Sequence, residues 1–194
     1  MFKTNRNAAT FSLVILLMCP AMAAAQMPTD IPAGPQQWVG NLVNMQRGGT
    51  TRIIVHADTF SPPEEVQNLA AILKDKGQNA VLDVMFKMPD RGWIRIGPSL
   101  GYQVPVIRYI PMPTGYRIVV LTDRPIQFFE ARRSTRSLDY PVGMVVFDVN
   151  REGSSTGQLL PTIKASFDKD GKVELETFGT QPLRILNVKS EATK

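Results

Sequence analysis

QLLPTIKASFDKDGKVELETFGTQPLRILNV, residues 158–188, reads as three strands separated by two tight turns. Leu159, Ile163, Ala165 and Phe167 alternate with polar residues along the first run. Val173 and Leu175 alternate with Lys172, Glu174 and Glu176 along the second. Successive side chains of a strand point to opposite faces. Each of these strands is therefore expected to have one buried and one wet face, the habit of antiparallel sheets. DKDG (168–171) and GTQP (179–182) supply the residues that tight turns favour for backbone reasons.

The same pattern extends towards the N-terminus. MVVFDVN (144–150) joins these strands through EGSSTG. YRIVVLT (116–122) is apolar on both faces, which predicts a central strand. YQVPVIRYI (102–110) carries Pro105, which has no N–H for a ladder and so marks an edge or a bulge. GWIRIG (92–97) is a shorter strand. In TRIIVHAD (51–58), Ile53, Val55 and Ala57 share one face, and Arg52, Ile54, His56 and Asp58 the other. WVGNLVNMQ opens the folded region at residue 38, and Gly48 with Gly49 predicts a hairpin turn.

One segment breaks the period of two. Val66, Leu69, Ala70 and Leu73 recur at helical spacing. Ser61 stands three residues before Glu64, the spacing of a capping box. Pro62 suits the first helical position, Lys74 and Lys76 the last turn, and Gly77 the end. A shorter helix over 79–88 is expected to turn Val81, Leu82, Met85 and Phe86 inward. The expected fold class is α+β and predominantly antiparallel β. Roughly seven to nine strands curl into a barrel or split into a sandwich, with one inserted helical hairpin packed on the sheet.

The first 25 residues differ in composition. Lys3 and Arg6 precede the apolar run FSLVILLM (11–18), and small residues follow in AMAAAQ (21–26). This is the layout of a secretory signal peptide, and the run is shorter than the roughly 20 residues that cross a bilayer. Ala23 and Ala25 fit the small-x-small rule, so cleavage is expected after Ala25. Acylation at Cys19 is the rival, but Met18 stands where a lipoprotein signal wants a small residue. The expected mature chain has a proline-rich arm over 26–37, a single β-rich domain over 38–190 and a frayed tail over 191–194. It is expected in the periplasm or outside the cell. Without residues 1–25 it keeps 20 Lys and Arg against 17 Asp and Glu, and it has no cysteine. Disulfides, thiol catalysis and iron–sulfur ligation are then excluded. No basic stripe suggests nucleic acid, and no second apolar span predicts a transmembrane segment.

Motifs for chemistry are weak. His56 is the only histidine, whereas a zinc site needs several nitrogen or sulfur ligands. DKDG puts Asp168 and Asp170 at the third and fifth positions of a calcium loop. Ser166 and Thr177, however, stand where its first acid and its bidentate glutamate belong. Any Ser–His–Asp triad must use His56, and no serine lies in a nucleophile elbow. GYQVP and GGTTR lack the spacing and the lysine of a P-loop. Two carboxylates brought together by the fold could support a hydrolase, but the sequence privileges no pair. It therefore assigns no catalytic, cofactor or metal residue.

TDRPIQFFEARRSTRSLDYP (122–141) concentrates Arg124, Arg132, Arg133 and Arg136 with Asp123, Glu130 and Asp139. Guanidinium–carboxylate pairs can neutralise most of this charge, which favours a salt-bridged connection over one end of the sheet. The other reading is an anion site, a carboxylate or phosphate held by Arg132, Arg133 or Arg136 with Arg124 alongside. Around TDRPIQFFEAR, RSLDYP and the closing DKDGKVELETFGTQPLRILNV the sequence resembles an uncharacterised group of secreted bacterial proteins. The resemblance covers most of the chain from about Arg52 and implies one domain, but no activity. The expected function is that of an exported, non-enzymatic binding or accessory protein of the cell envelope. No cofactor is expected, and the partner is a small ligand or an envelope protein. The alternatives are an envelope interaction module, using the arm and a strand edge, and a carboxylate-dependent hydrolase.

Overall fold

The computed structural model describes residues 31–43, 49–126, 140–168, 170–177 and 181–192. The signal segment, residues 26–30 of the arm, and Arg132, Arg133 and Arg136 lie outside the described residues. The strands are β1 (Gln36–Val43), β2 (Thr50–Ala57), β3 (Gly92–Ile96), β4 (Tyr102–Val104) and β5 (Val106–Met112), then β6 (Gly115–Leu121), β7 (Val142–Asn150), β8 (Thr156–Phe167), β9 (Val173–Thr177) and β10 (Leu183–Ala192). Helices α1 (Pro63–Lys76) and α2 (Gln78–Met85) lie between β2 and β3.

All ten strands belong to one antiparallel sheet, ordered β4-β3-β2-β1-β10-β8-β7-β6-β5, with β9 beside β8. The two ends of this path, β4 and β5, are consecutive in the chain, and only Pro105 separates them. The sheet therefore curls back on itself into a nearly closed barrel. Pro105 sits where its missing N–H does least harm, at the bend between two edge strands.

Other groups bridge the seam. Ser61 N–H donates to Ile107 O at 2.7 Å, and Ile107 N–H donates to Ser61 Oγ at 3.1 Å. On the β4 side, Arg91 N–H donates to Val104 O at 2.8 Å. Ser61 is buried and does for β5 what a neighbouring strand would do. Its hydroxyl is thereby unavailable to the helix. α1 starts at Pro63 with Pro62 as N-cap and has no side-chain cap bond, so the expected capping box does not form. Ser61→Ala should cost about 1–2 kcal/mol, because a buried N–H loses its acceptor. Urea unfolding measures the loss, and far-UV circular dichroism should show unchanged helix content.

Inward side chains from all around the sheet meet in one cluster. Trp38, Ile53, Val55, Ile94, Ile107, Ile118, Val120, Phe147, Leu159 and Ile185 are fully buried and fill the interior. The face of β2 shared by Ile53, Val55 and Ala57 is the inner one. Trp38 Nε1 donates to the Tyr116 hydroxyl at 3.1 Å, and Tyr109 stacks on Tyr116 with ring centroids 4.8 Å apart. Gly157 makes room for Phe147: a Cβ there would lie 2.5 Å from the ring and 2.6 Å from Val146 O.

The helices cover the outside. Leu82 of α2 packs with Val119, Met144, Val146, Leu160 and Ile163, and Leu69 and Met85 pack with Val106. β6 and β7 are consequently buried on both faces, which is why 116–122 shows no alternation. α2 ends at Met85, and Phe86 is 61% exposed rather than turned inward. Gln78 extends the cover: its Oε1 accepts from Ala165 N–H at 2.6 Å, beyond the end of β7.

Three further sequence expectations need correction. Met144 pairs with Leu160 but Val142 with Ile163, so β8 holds an extra residue at the bulge. A one-residue slip exchanges the faces of a strand. Leu159 thus points inward and Ile163 outward under α2, instead of sharing a face. β1 begins at Gln36, inside the stretch expected to be an arm, and Ile31 already packs against the interior cluster. β10 runs to Ala192, and Glu191 accepts from Gln37 Nε2 at 3.0 Å, so 191 and 192 are strand rather than frayed tail. Among the described residues, no helix is long and apolar enough to cross a membrane.

Candidate functional site

The arginine-rich stretch is fastened to one end of the barrel at its start. Thr122 is fully buried. Its Oγ1 donates to Arg124 O at 2.5 Å and accepts from Gly143 N–H at 2.9 Å. Ile126 is also fully buried, and its N–H donates to Pro161 O at 2.9 Å. Arg124 forms a two-bond pair with its neighbour Asp123, at 2.9 and 3.4 Å. These hydrogen bonds, with smaller contributions from the charges of Asp90 and Tyr102, hold its guanidinium above its ordinary pKa. Asp90 and Tyr102 place Arg124 near β4 and the seam. Arg124 is 59% exposed and Asp123 14%, so water screens the cationic end and the pair contributes about 1 kcal/mol or less. Arg124 is thus an ion-paired surface cation. The anion site proposed for Arg132, Arg133 and Arg136 lies outside the described residues.

A second group of polar side chains is assembled by the strand order. Arg117 on β6 clasps Asp148 on β7, with Nε–Oδ1 at 2.6 Å and Nη2–Oδ2 at 3.1 Å. Those hydrogen bonds hold the Arg117 guanidinium above its ordinary pKa, against the desolvation that lowers it. Asp148 faces Thr156 on β8, and Gln158 on β8 faces Arg184 on β10. Together they line an outer cleft of about 130 Å³ with Leu186 at its rim. The cleft holds two guanidiniums and one carboxylate, with an amide and a hydroxyl between them. That set can bind a small anionic or amphipathic group. Sequence reasoning missed these residues. They come from four strands, β6, β7, β8 and β10, and no local motif joins them; only the strand order shows that they meet.

His56 lies on the outer face of β2. It stacks on Trp93 across the strand pair, with ring centroids 5.3 Å apart and planes 13° apart, and the Arg95 guanidinium lies 5.0 Å from the Trp93 centroid. His56 Nε2 is 3.2 Å from Asp58 Oδ1, and Nδ1 is buried without a hydrogen-bond partner among the described residues. Such cross-strand pairs stabilise sheets by packing. Among the described residues, no three His, Cys, Asp or Glu side chains group as a metal site. Asp123, Asp148, Glu65 and Glu191 each pair with a cation.

At the seam, burial lowers the pKa of the Arg108 guanidinium, and the charge of Glu64 partly offsets the effect. Arg108 Nη1 donates to Ser61 O at 3.1 Å. These contacts tie α1 to the barrel and leave the cationic head occupied. Comparison with known proteins gives no match: no family model fits the chain, and no curated protein or solved structure is significantly similar to it.

Proposed function

We propose that this protein is an exported, non-enzymatic binding or accessory protein of the cell envelope that works through the outside of its barrel. The observation that carries this reading is the filled interior. Trp38, Phe147, Ile118 and their neighbours occupy it completely enough to be fully buried. A barrel packed in this way is a scaffold rather than a container. Binding is left to outer features such as the Arg117–Asp148–Arg184 cleft and to strand edges. The basic, apolar and small-residue layout of residues 1–25 supports export, and the resemblance to secreted bacterial proteins agrees with it.

Native mass spectrometry of the protein taken gently from its host's envelope fraction tests the proposal. The expected species begins at Gln26 and carries either extra mass that denaturation removes or a partner that crosslinking retains. A chain that keeps residues 1–25 and fractionates with the cytosol overturns the reading.

A further inference from the structure

We propose that the outer edge of β9 is a docking strand for a basic, extended segment of a partner protein. The inference rests on the reading of an outer-surface binding protein and supplies the surface and the chemistry of the partner.

A strand edge is a row of N–H and C=O groups that can template another strand. The two edges at the barrel seam are covered. Arg91 N–H meets β4, Ser61 meets β5, and β5 also carries Pro111, which has no N–H to offer. β9 differs. It pairs with β8 in unbroken register from Phe167 opposite Val173 to Ile163 opposite Thr177. Among the described residues no strand lies on its other side. Its sequence, VELET, has no proline, glycine or bulge to blunt the edge. Leu175 packs against the cluster of Leu82, Val142 and Met144, which backs the strand rigidly. A held strand loses little further entropy on pairing.

The charges on β9 select the partner. Glu174 and Glu176 are exposed and share one face. Glu176 has Lys164 opposite it on β8 and accepts from the Tyr140 hydroxyl at 2.8 Å, whereas Glu174 has only Ser166 opposite. A second copy of β9 is the wrong partner. Antiparallel pairing about Leu175 would set Glu174 against Glu176 of the other copy, and Glu176 against its Glu174. Like charges directly opposite are destabilising. A strand with Lys or Arg at alternate positions, and apolar residues between them, suits both faces. The two glutamates thus act against self-pairing and for a basic partner.

Amide hydrogen exchange on the full chain provides the test, with two probes. One is a synthetic peptide of alternating Lys and Val. The other is a Glu174→Lys, Glu176→Lys variant of this chain, whose own edge has the proposed partner chemistry, mixed in equal amount with the unmodified protein. The expected result is about tenfold or greater slowing at alternate β9 amides, reversed by high salt, with either probe. Sedimentation should show a heterodimer in the mixture and monomers in each protein alone. The peptide arm protects the test against a variant in which Glu176→Lys, now facing Lys164, loosens the hairpin. The proposal is overturned if neither probe slows β9, if the β9 edge is already protected in the isolated chain, or if the unmodified chain dimerises through it. Native mass spectrometry of host material is untouched by any of these failures.

Discussion

Trp38→Ala is expected to lower the free energy of unfolding by about 3–5 kcal/mol, the range for truncating a large buried aromatic residue. Trp38 has no exposed surface and packs against Phe60 and Tyr116, with ring centroids 6.3 and 6.5 Å away. Alanine would remove the ring and also the N–H that the Tyr116 hydroxyl accepts. The void could not close easily, because β1 is held by ladders to β2 on one side and β10 on the other. Small domains are stable by only about 5–15 kcal/mol, so the variant should approach the edge of folding. Trp38→Phe separates the two contributions. It keeps most of the packing and loses the hydrogen bond, and should cost about 1–2 kcal/mol. Urea titration with an unchanged slope for both variants is the measurement. A loss under about 1 kcal/mol for Trp38→Ala would contradict a close-packed interior.

Arg91→Ala is the second large effect. The Arg91 side chain donates to Glu65 Oε2 at 2.5 Å and reaches Thr59 Oγ1 and Phe60 O at 3.4 Å. It ties α1 to the segment that leads into β3. The Arg91 and Glu65 side chains are 16% and 23% exposed, so the pair is neither free in water nor fully desolvated. Breaking a buried pair costs about 3–5 kcal/mol, and an exposed pair contributes about 0–1 kcal/mol. The expected loss lies between these limits, at about 2–3 kcal/mol. A double-mutant cycle with Glu65→Gln should show coupling of about 1–2 kcal/mol. Arg52→Ala is the control. Its pair with Glu191 spans 3.5 Å at 58% and 43% exposure, and its removal should fall within about 0.5 kcal/mol of neutral. Equal losses at Arg91 and Arg52 would refute the argument from burial.

Local signals and non-local consequences explain which features can be read in advance. The first helix is legible because the stripe from Val66 to Leu73 and Gly77 are decided within one element. Pro105 is legible as an edge because a missing N–H is a property of one residue. Ser61 misleads because two structures compete for its hydroxyl. Capping is local, whereas the bond to Ile107 needs β5, which lies 46 residues away. The face of Ile163 misleads because the bulge at 161–162 becomes visible only against β7. The Arg117–Asp148–Arg184 cleft cannot be read at all. Its members come from β6, β7 and β10, and strand order is not a property of any one strand. The arginines of 122–141 draw attention because they are close in sequence. Arg124 shows how little that proximity implies, since its own neighbour neutralises it.

β1 pairs with β10 from end to end, Gln36 opposite Ala192 and Val43 opposite Arg184. Among the described strands, the first to be synthesised thus finds its second neighbour in the last. Until then it has β2 alone, and β8 lacks the β10 segment that faces Leu159. Contacts so distant along the chain repay their loop-closure entropy late, which slows folding. The interval between making residue 36 and making residue 192 is therefore one in which two strand edges stand open to other chains. Correct folding depends on how well the emerging polypeptide is shielded during that interval.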